Sequence, residues 1–166
     1  MLRKLGDFLA EKTLNFIIVV MFTIMAGAVF IQVVFRYIVH QPIYWSEELP
    51  RFLLIWLTFL GSVLAMKNRS HLGITIILNR LSAKKRLLVQ FLANILVLLF
   101  LLVMVWGGTI ITRLTMPNRT AALQMPTGLF YLAAPVGGVL MIIYLVKHTM
   151  ELFRGRAKAE KGEANE

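Results

Sequence analysis

LLVQFLANILVLLFLLVMVWGGTIIT, running from Leu87 to Thr112, contains no Asp, Glu, Lys or Arg. A helix rises about 1.5 Å per residue, so about 20 mostly apolar residues cross the roughly 30 Å hydrocarbon layer of a bilayer. Only a helix or a closed barrel satisfies its own backbone there, and this unbroken run reads as a helix. Three more stretches qualify, from Leu14 to Tyr37, Glu48 to Met66 and Gly128 to Lys147. The whole chain of 166 residues is 58% hydrophobic, with a mean hydropathy of +0.75, above the roughly 45–50% apolar content of soluble domains. The expected fold is an all-α integral membrane protein with four transmembrane helices. It comprises an amino-terminal segment (1–13), a single membrane domain (14–147, with spans 14–37, 48–66, 87–112 and 128–147) and a polar tail (148–166).

Charge placement predicts the direction of insertion. Lys and Arg gather on the cytoplasmic side of short loops. Arg3, Lys4 and Lys12 precede the first span; Lys67, Arg69, Arg80, Lys84, Lys85 and Arg86 lie between the second and third; Lys147, Arg154, Arg156, Lys158 and Lys161 follow the fourth. Of the 18 basic residues this leaves Arg36, Arg51, Arg113 and Arg119 in or beside the other two connections. Both termini are therefore expected in the cytoplasm. The net charge of +10 is explained by topology, with no nucleic-acid partner.

Arg3, Lys4, an apolar run and Ala26-Gly27-Ala28 also resemble a signal peptide. Apolar residues resume at once through Val29 to Phe35, too far for a signal core, so a retained helix is expected. Between spans two and three, Ile74, Ile77, Leu78 and Leu81 recur at helical spacing opposite Thr75, Asn79 and Ser82. This predicts a short amphipathic helix in the cytoplasmic interface, with an ordinary loop as the alternative. The following Lys84-Lys85-Arg86 is placed to meet phospholipid headgroups.

Signs of catalysis are absent from the sequence. There is no Gly-x-x-x-x-Gly-Lys-Ser/Thr loop and no Gly-x-Ser-x-Gly elbow. His40, His71 and His148 stand apart, without a His-Glu-x-x-His pair, and cysteine is absent. Neither an enzyme nor a cofactor is expected. Gln32 and Asn94 are the deepest polar side chains in the spans besides Ser and Thr, and such groups usually bond to backbone or to a neighbouring helix. Pro135 with Gly137 and Gly138 predicts a kink in the fourth span. Gly61 with Ala65, Gly107 with Gly108, and Ala133, Ala134 and Gly137 offer small surfaces for helix packing.

The densest chemistry lies where the first span ends and the second begins: Arg36, then Tyr44-Trp45-Ser46-Glu47-Glu48-Leu49-Pro50-Arg51. Glu47 and Arg51 are spaced to pair on one helix face, Ser46 is placed to cap the helix, and Pro50 falls close to its first turn. Tyr44 and Trp45 suit the headgroup layer. Two readings stay open: charges that simply end two helices, or a docking cluster completed by another subunit.

Val34-Phe35-Arg36-Tyr37, then Trp45-Ser46-Glu47-Glu48-Leu49 and Arg51, with Trp56, Phe59, Leu60 and Gly61 further along, resembles a pattern of the DctQ-type small membrane subunits of tripartite ATP-independent periplasmic (TRAP) transporters. His71-Leu72-x-Ile74 resembles the family's next block, with Thr75 where the family often has an acid. Ala122-Leu123-x-Met125-Pro126, Tyr131 and Pro135 resemble the entry to its fourth span. The likeness covers roughly Phe16 to Leu145.

Such a resemblance implies a multi-pass subunit in a bacterial or archaeal inner membrane, partnered by a large membrane subunit and a periplasmic substrate-binding protein. It implies uptake of a small organic acid, such as a dicarboxylate or sialic acid, driven by an ion gradient, usually sodium. Substrate and sodium sites would then lie on the large subunit, and this chain would brace it. Arg36, Trp45, Glu47, Glu48, Arg51, Trp56 and Gly61 become the candidate subunit-interface and anchoring residues. The rival readings are a small four-helix exporter working as a dimer, which needs an intramembrane acid not found here, and a membrane assembly factor.

Overall fold

The computed structural model describes residues 2–41, 43–67 and 83–163. Helix α1 spans Leu2–Val34 and passes directly into a π-helical turn, Phe35–Val39. α2 spans Trp45–Lys67, α3 Ala83–Thr115, the short α4 Gly128–Tyr131 and α5 Ala133–Glu163. The membrane-crossing stretches are Lys12–Val39, Trp45–Lys67, Leu88–Thr115 and Gly128–Met150. Each extends the expected span by a few residues at one end or both, because helix continues into the more polar flanks. The same continuation carries α1 back through the amino-terminal segment and α5 on through most of the polar tail. The amphipathic interfacial helix expected over 72–81 lies outside the described residues.

Contacts between spans run from α1 to α2, from α2 to α5 and from α5 to α3. The spans thus form a row, with α2 and α5 inside and α1 and α3 at its ends. Burial follows that order: 17% and 33% of the most apolar windows of spans two and four are buried, against 6% for each end helix. Val63 of α2, Leu101 of α3, and Met141 and Leu145 of α5 form the packed centre. Side chains such as Phe16, Phe30, Leu96, Phe100 and Trp106 remain exposed, which costs little beside lipid tails as apolar as they are.

Small residues set the closeness of the inner contacts. A Cβ on Gly137 would lie 2.9 Å from Phe59 Cβ, and one on Gly138 would lie 2.6 Å from Val105 Cγ2. Gly108 faces Pro135 and Ala134. Gly61 and Gly107 differ from this expectation, since a Cβ on either meets nothing within 4 Å. Pro135 sits in the first turn of α5, where its missing N–H costs no helical bond. Its ring excludes the carbonyl four residues back, and the fourth span accordingly steps at Leu132, between α4 and α5.

Several polar side chains within the spans bond to backbone or to a neighbouring helix. Thr23, Thr58, Ser62, Thr109 and Thr112 each donate to the carbonyl one turn earlier. Asn94 Nδ2 donates to Thr149 Oγ1 at 3.0 Å, joining α3 to α5.

Candidate functional site

The α1–α2 connection and the segment from Met116 to Thr127 meet at one end of the row. The first helix arrives there through its π turn, a feature often found at functional positions. His40 then adopts φ 57°, a left-handed conformation that stops a helix without glycine. Gln41 N–H returns to Phe35 O at 3.2 Å. Arg36 and Tyr37 are both exposed, with the guanidinium 5.9 Å from the Tyr37 ring centre.

Helix α2 opens differently from expectation. Ser46 is 1% exposed, but its hydroxyl donates backwards to Ile43 O at 2.6 Å and accepts no helix amide. Glu47 and Glu48 in the first turn supply the negative charge that a helix start favours. Because the helix begins at Trp45, Pro50 falls in the second turn and removes the bond to the Ser46 carbonyl.

The segment facing this start folds into a small hairpin. Thr120 N–H donates to Met125 O at 2.9 Å and Thr127 N–H to Asn118 O at 2.8 Å. Gln124 turns the chain at φ 54°, and Arg119 Nη1 donates to its carbonyl at 3.1 Å. Two adjacent amides at the tip point to one carboxylate: Ala122 N–H donates to Glu48 Oε1 at 2.9 Å and Leu123 N–H to Glu48 Oε2 at 2.8 Å. Glu48 thereby latches the start of the second span to the connection between the third and fourth. About two turns further along α2, Trp56 Nε1 donates to Leu129 O at 3.2 Å. Phe52 packs edge-on against Phe130 with ring centres 5.1 Å apart.

The sequence-expected residues therefore divide. Glu48 and Trp56 hold α2 to the hairpin and to α4. Arg36, Trp45, Glu47 and Arg51 are exposed, and Gly61 faces open space. Among the described residues no ion pair joins Arg36, Glu47, Glu48 and Arg51. Glu48 is occupied by amides, while an exposed Glu47–Arg51 pair would gain about 0–1 kcal/mol against the cost of ordering two long side chains. The residues that sequence reasoning missed are Ala122 and Leu123, whose contribution is backbone N–H and leaves no side-chain signature. Their only signal was the resemblance of Ala122-Leu123-x-Met125-Pro126 to a family block.

Comparison with known proteins bears on this arrangement directly. The family described as tripartite ATP-independent periplasmic transporters, DctQ component, matches residues 25–155. A Haemophilus influenzae protein provisionally named a TRAP transporter small permease protein is 31% identical over 162 residues, covering 95% of this chain and 100% of that one. The isethionate TRAP transporter permease protein DctMQ of Oleidesulfovibrio alaskensis is 32% identical over 105 residues, 62% of this chain but 16% of that longer one. The sialic acid TRAP transporter small permease protein SiaQ of Vibrio cholerae is 28% identical over 124 residues, 72% of this chain and 69% of its own length.

Proposed function

Because the chain belongs to the DctQ component family of tripartite ATP-independent periplasmic transporters, and is thus a non-catalytic, multi-pass small permease subunit of the inner membrane, we propose that it is the fixed scaffold on which a large membrane subunit is held. The observation that carries this reading is the open row of spans. Two inner helices are mutually packed and two end helices are only 6% buried, so broad apolar faces remain for a membrane partner. The relative in which the matching stretch makes up 16% of a much longer permease chain supports a partner in the same membrane.

Within this proposal both termini are cytoplasmic and the Glu48 hairpin end faces the periplasm. The membrane domain runs over 14–147 between a cytoplasmic amino-terminal segment and a cytoplasmic tail. Arg36, Trp45, Glu47 and Arg51 present the docking and anchoring surface at that end, and Gly61 presents a close-approach surface lower on α2. Glu48 and Trp56 act behind them, keeping that surface in shape. A periplasmic binding protein delivers a small organic acid, and a sodium gradient drives its uptake through the large subunit. Relatives for isethionate and for sialic acid resemble this chain almost equally, which fits a substrate choice made elsewhere in the complex.

The test is uptake in liposomes. The large subunit reconstituted with this chain and its binding protein is expected to take up an organic acid down a sodium gradient; this chain alone is expected to take up none. Full uptake by the large subunit without this chain would overturn the scaffold role.

A further inference from the structure

Beside the latch lies a cleft of about 560 Å³ that shares Glu48 and Arg51 with the anchoring surface and adds an apolar channel to it. Glu48, Arg51, Thr120 and Thr127 supply its polar lining, and Ile55, Phe59, Phe130 and Ala134 its apolar lining. A helix about 10 Å across fills roughly 400 Å³ per turn, so the cleft has room for little more than one turn of a partner helix. The volume instead falls in the range of about 300–1,000 Å³ typical of small-ligand sites.

Charge narrows the occupant further. Arg51 is exposed and has no ion-pair partner among the described residues; its guanidinium fork matches phosphate oxygens. It lies under two turns along α2 from Trp45, a residue type that settles at headgroup depth. Glu48 stands in the same lining, held in place by the Ala122 and Leu123 amides, and each carboxylate oxygen keeps capacity for a second donor. An exposed cation and a fixed anion above an apolar channel complement a zwitterion above a hydrocarbon chain.

We propose that this cleft binds one phospholipid with an amine-bearing, phosphoethanolamine-type headgroup. The phosphate meets Arg51, the ammonium meets Glu48, and one acyl chain runs along Ile55, Phe59, Phe130 and Ala134. Choline carries no N–H for Glu48, and a glycerol headgroup carries no cation.

The experiment is native mass spectrometry on the purified full chain, delipidated in detergent and then titrated with phosphatidylethanolamine, phosphatidylcholine or phosphatidylglycerol. One phosphatidylethanolamine should be retained per chain, with the other two lipids weaker by about tenfold, equivalent to about 1.4 kcal/mol. Arg51→Gln removes an exposed charge without disturbing packing, and Ile55→Trp fills the channel without touching a charge; each should reduce retention by a similar factor. Arg113→Gln, at an exposed cation at the end of α3 and outside the cleft, should leave lipid retention unchanged. Equal retention of all three lipids, or equal retention by wild type and Arg51→Gln, overturns the proposal. Loss of the lipid when the large subunit binds does so too, since the cleft would then belong to that partner. The titration uses this chain alone, so its failure leaves the scaffold reading intact.

Discussion

Glu48 is the residue whose role the structure changes most. The spacing of Arg36, Glu47, Glu48 and Arg51 suggests charges that answer one another, yet Glu48 answers two backbone amides 74 and 75 residues away. Both of its oxygens are used, one per amide, so the interaction fixes the position and the orientation of the hairpin tip. Glu48→Ala is expected to lower the thermal unfolding midpoint of the purified chain and to speed amide exchange at Ala122 and Leu123. Glu48→Gln, with one carbonyl oxygen left to accept, should fall between the variant and wild type, and the exposed Glu47→Ala should match wild type. Equal midpoints for Glu48→Ala and Glu47→Ala would remove the latch. Glu48 stood out beforehand but its amide partners did not, beyond their place in a family-like block, because an amide belongs to every residue except proline and nothing in the side chains of Ala122 or Leu123 advertises the bond. Trp56 entered as a candidate interface residue from the family pattern, and the Leu129 carbonyl that its N–H finds within the same chain is again a backbone group that leaves no side-chain signature.

Helices were the most readable level, since a charge-free run such as Leu87 to Thr112 admits one solution in lipid. Their ends were less readable. Helical backbone continues after hydrophobicity stops, as α5 does to Glu163, and Ser46 shows that a capping residue type also has other acceptors within reach. Which glycines support packing was only partly legible, because every span is apolar on all sides and no polar face marks the surface that meets a neighbour. The structure separates them by what an added methyl would strike. Gly138→Ala meets Val105 Cγ2 at 2.6 Å and Met104 Cε at 2.9 Å, and overpacking of this kind costs about 1–3 kcal/mol. Gly61→Ala meets nothing within 4 Å, and a helical Ala is favoured over Gly by about 1 kcal/mol. In the isolated chain, unfolding monitored by circular dichroism should therefore show Gly138→Ala destabilised and Gly61→Ala unchanged or slightly stabilised. The reverse order would contradict the packing of α5 between α2 and α3.

A row of four spans, with Gly61 open and Arg36 exposed, makes two whole-molecule expectations separable. The first is orientation: single cysteines at Gln41 and Ala121, in the two connections that meet at Glu48, should react with an impermeant reagent from the periplasm, and one at Ala157 should not. Labelling of Ala157 from the periplasm would invert the molecule. The second is assembly, and the latch decides how to test it. Replacing Glu48 disturbs this chain's own hairpin, so poor recovery of a Glu48 variant would not distinguish lost docking from lost shape. Arg36 and Gly61 avoid that difficulty, because the Arg36 head lies over its own neighbour Tyr37 and Gly61 has open space beside it. In the chain alone Arg36→Ala and Gly61→Leu should therefore keep wild-type stability. Once a large subunit is seated, Arg36→Ala leaves the group that faced the guanidinium sealed from water without its counterpart, and a leucine at Gly61 holds two helices apart that small residues let approach. A loss of only about 1.4 kcal/mol weakens association tenfold. Both variants should consequently lower recovery of the complex from detergent at matched expression, and uptake in liposomes should fall with it. Arg113→Ala, an exposed cation at the end of α3, should alter neither. Wild-type recovery for both Arg36→Ala and Gly61→Leu would move the partner to another face of the row and leave the cluster as an anchor in the headgroup layer.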